Sequence, residues 1–153
     1  MIEELRRLPN QQHLTHKSRV EIETVKDSEI VFVDGIAIAF RRKGELAPVL
    51  TNTSALEIMP RIVVDMGAVP HVAGGADIMA PGIRKVDGEF GEKQFLVVVD
   101  EKHGKYLAVG KALIGSGPMA TTKKGKVVEN FHYVGDLIWE VIKPKGPASS
   151  SSS

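Results

Sequence analysis

The run Val63-Val64-Asp65-Met66-Gly67-Ala68 passes from β-branched residues straight into small ones, and Gly74-Gly75-Ala76-Asp77 repeats the small-residue signal soon after. Two turns set so close leave room for only one short helix between them, and Asp65 stands where an acidic side chain can cap it. This spacing predicts strand, helix over 67–73, and a bare Gly-Ala turn leading through Ile78-Met79-Ala80 to Pro81-Gly82-Ile83. Glycine and alanine at 74–76 leave main-chain N–H groups uncovered, so a phosphate or a base edge can approach closely. The turn therefore reads as a recognition surface.

A chain of 153 residues that is 42% hydrophobic can form one domain or two small ones with ordinary cores. No apolar run approaches the ~20 residues of a membrane span, and charges interrupt 1–10, where a signal peptide needs an apolar stretch. The expectation is a cytoplasmic protein with no membrane contact. The chain has no cysteine, which rules out disulfides, thiolate zinc sites and cysteine nucleophiles and fits a reducing compartment. Net charge is only +1, so any nucleic-acid site has to be local. The first 60 residues hold 8 basic against 9 acidic side chains and the remainder 12 against 10, an asymmetry too small to decide anything.

Along the chain, Ile2, Leu5 and Leu8 predict an amphipathic helix within 1–12, stopped at Pro9. From Arg19 the period becomes two: Val20, Ile22 and Thr24 alternate with Glu21, Glu23 and Val25, as in a half-buried strand. Ile30 to Val33 and Ile36 to Phe40 flank Asp34-Gly35, the pair suited to a two-residue hairpin turn. The segment 47–59 predicts a helix that starts at Pro48 or at Ser54, the latter opening the capping-box sequence Ser54-Ala55-Leu56-Glu57. Pro60 marks a boundary between a small α+β domain at 1–60 and a second unit at 61–142. Lys143-Pro144-Lys145-Gly146-Pro147, followed by Ala148 and five serines, reads as a flexible tail over 143–153.

Further strands follow the Gly-Ala turn in order: 94–99, 106–113 with Val109-Gly110-Lys111-Ala112-Leu113, and 125–133 after a small-residue segment at 115–120. Gly135-Asp136-Leu137-Ile138-Trp139 then leads to 140–142, read as the end of the last strand, with Asp136 in a turn and Trp139 in the core. Taken together, residues 61–142 resemble a PUA domain, the RNA-binding module named after pseudouridine synthases and archaeosine transglycosylases. A hairpin through Asp34-Gly35, a proline-led segment and a C-terminal PUA-like unit together resemble the malignant T-cell amplified sequence proteins and their archaeal relatives, a family linked to translation.

The resemblance implies an α+β fold, with a small N-terminal α+β domain followed by a mostly antiparallel β pseudo-barrel carrying short helices. It places RNA, with tRNA or rRNA as candidates, in the cleft beside the Gly-rich turn. Gly74, Gly75, Ala76 and Asp77 would supply close approach and one polar selector; Met79, Pro81 and Gly82 an apolar wall; Arg84 and Lys85 phosphate contacts. Lys111 and Tyr133 are outer candidates. The implied partners are the small ribosomal subunit or a translation factor.

Catalytic chemistry finds little support. Gly104 to Lys111 misses a P-loop, with five residues between its glycines and Ala112 after the lysine. Gly115-Ser116-Gly117 lacks the spacing of a nucleophile elbow. His13 and His16 share a helical spacing but have no third ligand, and Glu21 with Glu23 reads as a wet strand face rather than an acid–base pair. His71 and His132 can each either meet RNA or be satisfied by backbone. No cofactor, metal or enzyme activity is expected. Three functions fit: a translation protein recognising structured RNA, an accessory subunit for a separate RNA-modification enzyme, and a protein-interaction module.

Overall fold

The structure is a computed structural model and describes residues 1–144. The tail expected at 143–153 therefore lies outside the described residues, except for Pro144 and for Lys143, whose N–H donates to Trp139 O (2.8 Å). The first sheet has four antiparallel strands in sequence order: β1 (Val20–Val25), β2 (Ser28–Val33), β3 (Ile36–Arg42) and β4 (Glu45–Pro48). The second sheet contains β5 (Arg61–Val64), β6 (Ile78–Met79), β7 (Ile83–Asp87), β8 (Phe95–Asp100), β9 (Tyr106–Ala112) and β10 (Lys126–Tyr133), in the order β6-β10-β9-β8-β5-β7. Among the described residues only β5 and β8 pair in parallel. The short helices are α1 (Ile2–Arg6), α2 (Thr53–Leu56), α3 (Val69–Ala73), α4 (Ser116–Thr121) and α5 (Leu137–Ile142). The α+β expectation holds.

Pro60 is where the chain passes between sheets, yet the sheets share apolar packing. Ile30 and Phe40 of the first sheet cluster with Val97, Val109 and Phe131 of the second, and Leu56 and Ile138 close the ends. The other face of the first sheet is covered by Leu5 and Leu14 against Val31, Val33 and Ala39. Leu96 and Val98 point into a third cluster with Ile62, Val72 and Val128. Strand β8 is thus buried on both faces, which explains its unbroken Leu96-Val97-Val98-Val99 run. Each such side chain contributes about 1.5–3 kcal/mol of burial.

The hairpin forms as expected, with Val33 opposite Ile36 and both turn residues left-handed, Asp34 at φ 50° and Gly35 at φ 84°. Asp34 also accepts the Arg19 N–H on Oδ1 (2.9 Å). Replacing Asp34-Gly35 by Ala-Val is expected to lower stability by about 2–3 kcal/mol, since side chains without this bond cost about 1–2 kcal/mol each in left-handed backbone. A urea melt with an unchanged midpoint would contradict this account of the turn.

Five local expectations are corrected. Helix α1 stops at Arg6, ahead of the expected stop at Pro9, and Asn10 then turns left-handed (φ 62°) so that the chain folds back and the Gln11 amide bonds Asn10 O (2.9 Å) and Ser54 Oγ (3.3 Å). Pro48 ends a strand, and α2 starts at Thr53 with Asn52 as its cap, so neither Pro48 nor Ser54 opens the helix. Strand β1 does not alternate in burial: Glu21 through Thr24 are all exposed, Ile22 by 48%, because the strand lies at the edge of its sheet. Asp65 accepts from Ala68 N (2.8 Å), closing the turn ahead of α3 rather than capping the helix. Residues 137–142 are helical, not the end of a strand, because Asp136 accepts from Trp139 N (2.7 Å) and so starts α5.

Candidate nucleic-acid interface

Helix α3 begins with Val69-Pro70, where the missing proline N–H costs nothing, and its C-terminal end builds the Gly-rich turn. There Gly74 N and Ala76 N both donate to His71 O (3.1 and 3.0 Å) and Gly75 N donates to Val72 O (3.0 Å). The N–H groups expected to be free for a ligand are thus spent on the helix end. Gly75 serves another purpose. Its φ is +91°, and a Cβ there would lie 2.9 Å from ring atoms of Tyr133, so glycine is what lets the turn lie against that ring.

One buried side chain holds the turn to the sheet. Asn130 of β10 donates through Nδ2 to Val72 O (3.2 Å) and Ala76 O (3.1 Å), and its N–H donates to Asp77 Oδ1 (2.8 Å). Asp77 Oδ2 accepts from Lys126 Nζ (3.2 Å). Asp77 is therefore partly occupied as a structural acceptor, with its carboxylate still at the surface of a cleft.

That cleft, about 690 Å³, opens between α3, β6, the 3-10 turn at Ala80–Gly82 and the start of β10. Val72, Ile78, Met79 and Pro81 give it an apolar lining, Ala68, Ala76 and Gly82 keep it shallow, and Asp65, His71, Asp77 and Lys126 supply polar groups. Among the expected site residues, Ala76, Asp77, Met79, Pro81 and Gly82 line the cleft, whereas Gly74 and Gly75 shape the turn and Tyr133 supports it. Arg84 sits between carboxylates, 3.9 Å from Asp65 Oδ2 and 3.7 Å from Glu101 Oε1, so much of its charge is already matched. Lys85 is exposed on β7, opposite Val63. Lys111 does not line the cleft; it pairs with Glu45 of β4 and lies 5.9 Å from the centre of the Phe131 ring.

Sequence reasoning passed over the basic run Lys123-Lys124-Gly125-Lys126. Gly125 O accepts from Ala80 N (2.8 Å), which sets this loop against the 3-10 turn, and Lys126 stands opposite Met79. Lys126 thereby lines the cleft, and Lys123 and Lys124 are exposed in the loop that leads to it, a run legible in the sequence but without a location there. His71, exposed on α3, adds a planar ring at the rim. A flat apolar floor with carboxylate acceptors and ammonium donors around it can hold a nucleobase and its phosphates. Among the described residues no group of three or more His, Asp or Glu side chains could hold a metal ion, and no helix is long and apolar enough to cross a membrane.

The PUA-domain family model matches residues 60–134, the span that carries the cleft. An uncharacterized protein of Methanocaldococcus jannaschii is 42% identical over 80% of this chain and 76% of its own length. Translation machinery-associated protein 20 of Saccharomyces cerevisiae is 31% identical over 80% of this chain and 72% of its own. The chain belongs to the PUA-domain family of translation machinery-associated protein 20 and the malignant T-cell-amplified sequence proteins. The crystal structure of a hypothetical protein from Pyrococcus horikoshii superposes with a TM-score of 0.76 at 37% identity, covering 92% of each chain. The likeness to that structure extends over both sheets, so the four-stranded sheet ahead of the PUA domain is part of the shared architecture.

Proposed function

We propose that this PUA-domain protein is a non-catalytic, cytoplasmic RNA-binding protein of translation that recognises structured RNA, tRNA or rRNA, on the small ribosomal subunit. The reading rests on the cleft at the Gly-rich turn, where an apolar floor adjoins Lys126 and the exposed Lys123 and Lys124 precede it in the same loop. In it, residues 61–142 bind the RNA and residues 1–60 form an α+β domain that backs them. Asp65 and Asp77 accept from base amino groups, His71 stacks at the rim, and Lys85, Lys123, Lys124 and Lys126 meet phosphate.

Cosedimentation with small ribosomal subunits tests the role in translation, and a salt titration of affinity for tRNA and small-subunit rRNA tests the site. Changing Lys123, Lys124 and Lys126 together to alanine is expected to shallow the logarithmic salt dependence by about two to three units, close to one per lost phosphate contact. Changing Arg84 and Lys85 together should remove only about one unit, because Arg84 faces two carboxylates. A triple-lysine variant that binds with the parent's slope would move the RNA away from this cleft.

A further inference from the structure

Four strand edges terminate the two sheets, and three of them are blunted. Strand β4 is four residues long and ends in Pro48, β6 has two residues, and β7 carries Arg84 and Lys85 on its short edge. Strand β1 is neither short nor broken by proline, and its charges, Glu21 and Glu23, are both acidic. It runs for six residues without proline, lysine or bulge, in continuous register from Val20 opposite Val33 to Val25 opposite Ser28.

Asp34 N donates to Arg19 O (2.8 Å), and the alternation of an antiparallel ladder then turns the N–H and C=O groups of Val20, Ile22 and Thr24 outward. Glu21 and Glu23 project on one face of the strand and Ile22, 48% exposed, on the other. Glu21 lies 3.5 Å from Arg19, a pair exposed on both sides, and Glu23 has no ion pair among the described residues.

The charges select the occupant. A second copy adding through these outward groups in symmetric antiparallel fashion would be centred on 21, 22 or 23. The three registers set Glu21 against Glu21, Glu21 against Glu23, and Glu23 against Glu23, and like charges directly opposite one another destabilise a strand pair. A strand with cations at alternate positions instead matches both glutamates while its backbone takes up the free ladder. We propose that the edge of β1 docks an extended segment of a protein partner, with lysine or arginine at alternate positions, which adds to the four-stranded sheet as an outer strand. This surface does not depend on the RNA cleft.

A short synthetic peptide alternating lysine and valine, titrated into the 15N-labelled full chain at low salt, tests it. The amides of Val20, Ile22 and Thr24 should shift and become protected from exchange. N-methylating the peptide backbone on its bonding edge should weaken binding about tenfold or more without touching the protein. Ile22→Pro, which removes an outward N–H and leaves the β2 ladder intact, should do the same, with its melting curve as the check on folding. Glu21→Lys combined with Glu23→Lys should transfer preference to a glutamate–valine peptide. Equal affinity of the N-methylated peptide, shifts confined to other surfaces such as Glu57, Asp87 and Glu89, absence of saturable binding, or dimerisation of the chain through β1 would each overturn the proposal.

Discussion

A Gly75→Ala protein is expected to be less stable than the parent by about 3 kcal/mol, from left-handed strain of about 1–2 kcal/mol and overpacking of about 1–3 kcal/mol. Both contributions are local. The backbone at Gly75 has φ +91°, and the new methyl would lie 2.9 Å from two ring carbons and the hydroxyl oxygen of Tyr133. In a Tyr133→Ala background the steric part disappears and the same glycine change should cost only about 1–2 kcal/mol, a coupling that a double-mutant cycle in urea reads directly. Additive effects would show that Gly75 and Tyr133 do not press on one another. Because the 74–76 turn forms one wall of the cleft, the single variant should also lose RNA affinity, and the double variant should regain part of it. That recovery separates distortion of the wall from loss of a ligand contact at Gly75.

Replacing His132 with alanine should cost about 3–5 kcal/mol, the range for breaking a buried, fully used polar network and leaving a cavity. The imidazole is 0% exposed. Its Nε2 accepts from Leu50 N (3.1 Å), so Nδ1 carries the proton and donates to Asp136 Oδ2 (2.9 Å), tying the end of β10 to the turn that follows β4 and to the start of α5. Alanine strands the Leu50 N–H and weakens the support of Asp136. The pH profile carries a second signature. Burial raises the Asp136 pKa, but the hydrogen bond from His132, with the N–H groups of Trp139 and Tyr133, more than reverses this and holds it below its usual 3.8. A depressed carboxylate contributes stability that is complete above its unfolded pKa and lost as pH falls through the folded value, so the parent should weaken in acid below about pH 4. Without His132 that acid loss should shrink. Asp100, depressed by the N–H groups of His103, Lys105 and Lys102 against its own burial, keeps its share in both proteins. A His132→Ala protein that melts and titrates like the parent would remove the histidine from the network.

How far local sequence could be read follows from what holds each element. The Asp34-Gly35 turn was legible because its backbone needs two left-handed residues and the pair declares them. Strands β8, β9 and β10 were legible because runs rich in β-branched, aromatic and other apolar residues, bounded by turn residues, favour extended backbone. Helix α5 was misread as strand: Leu137-Ile138-Trp139 suits a strand by composition, and one capping bond from Asp136 decides otherwise. The alternation at 20–25 was real but its burial was not, because burial depends on whether anything covers β1, and nothing in the period of a strand says that. The free N–H groups at 74–76 failed for a related reason. Small residues announce an uncovered backbone, while the helix end they terminate had already taken up the hydrogen bonds.

The order of short motifs from Val63 to Tyr133 by itself determined the PUA family, the α+β class and the position of the turn that carries the cleft, because glycines, prolines and β-branched runs constrain backbone locally. Tertiary structure decided which charges are available at that cleft. Arg84 and Lys111, adjacent to promising motifs in the chain, are matched in space by Asp65, Glu101 and Glu45; Lys126, remote in sequence, is brought to the cleft when Gly125 bonds Ala80 and is itself paired with Asp77, while Lys123 and Lys124 stay exposed in the same loop. A charge acts through the groups within a few ångströms of it, and those neighbours come from strands that meet only when the sheets close.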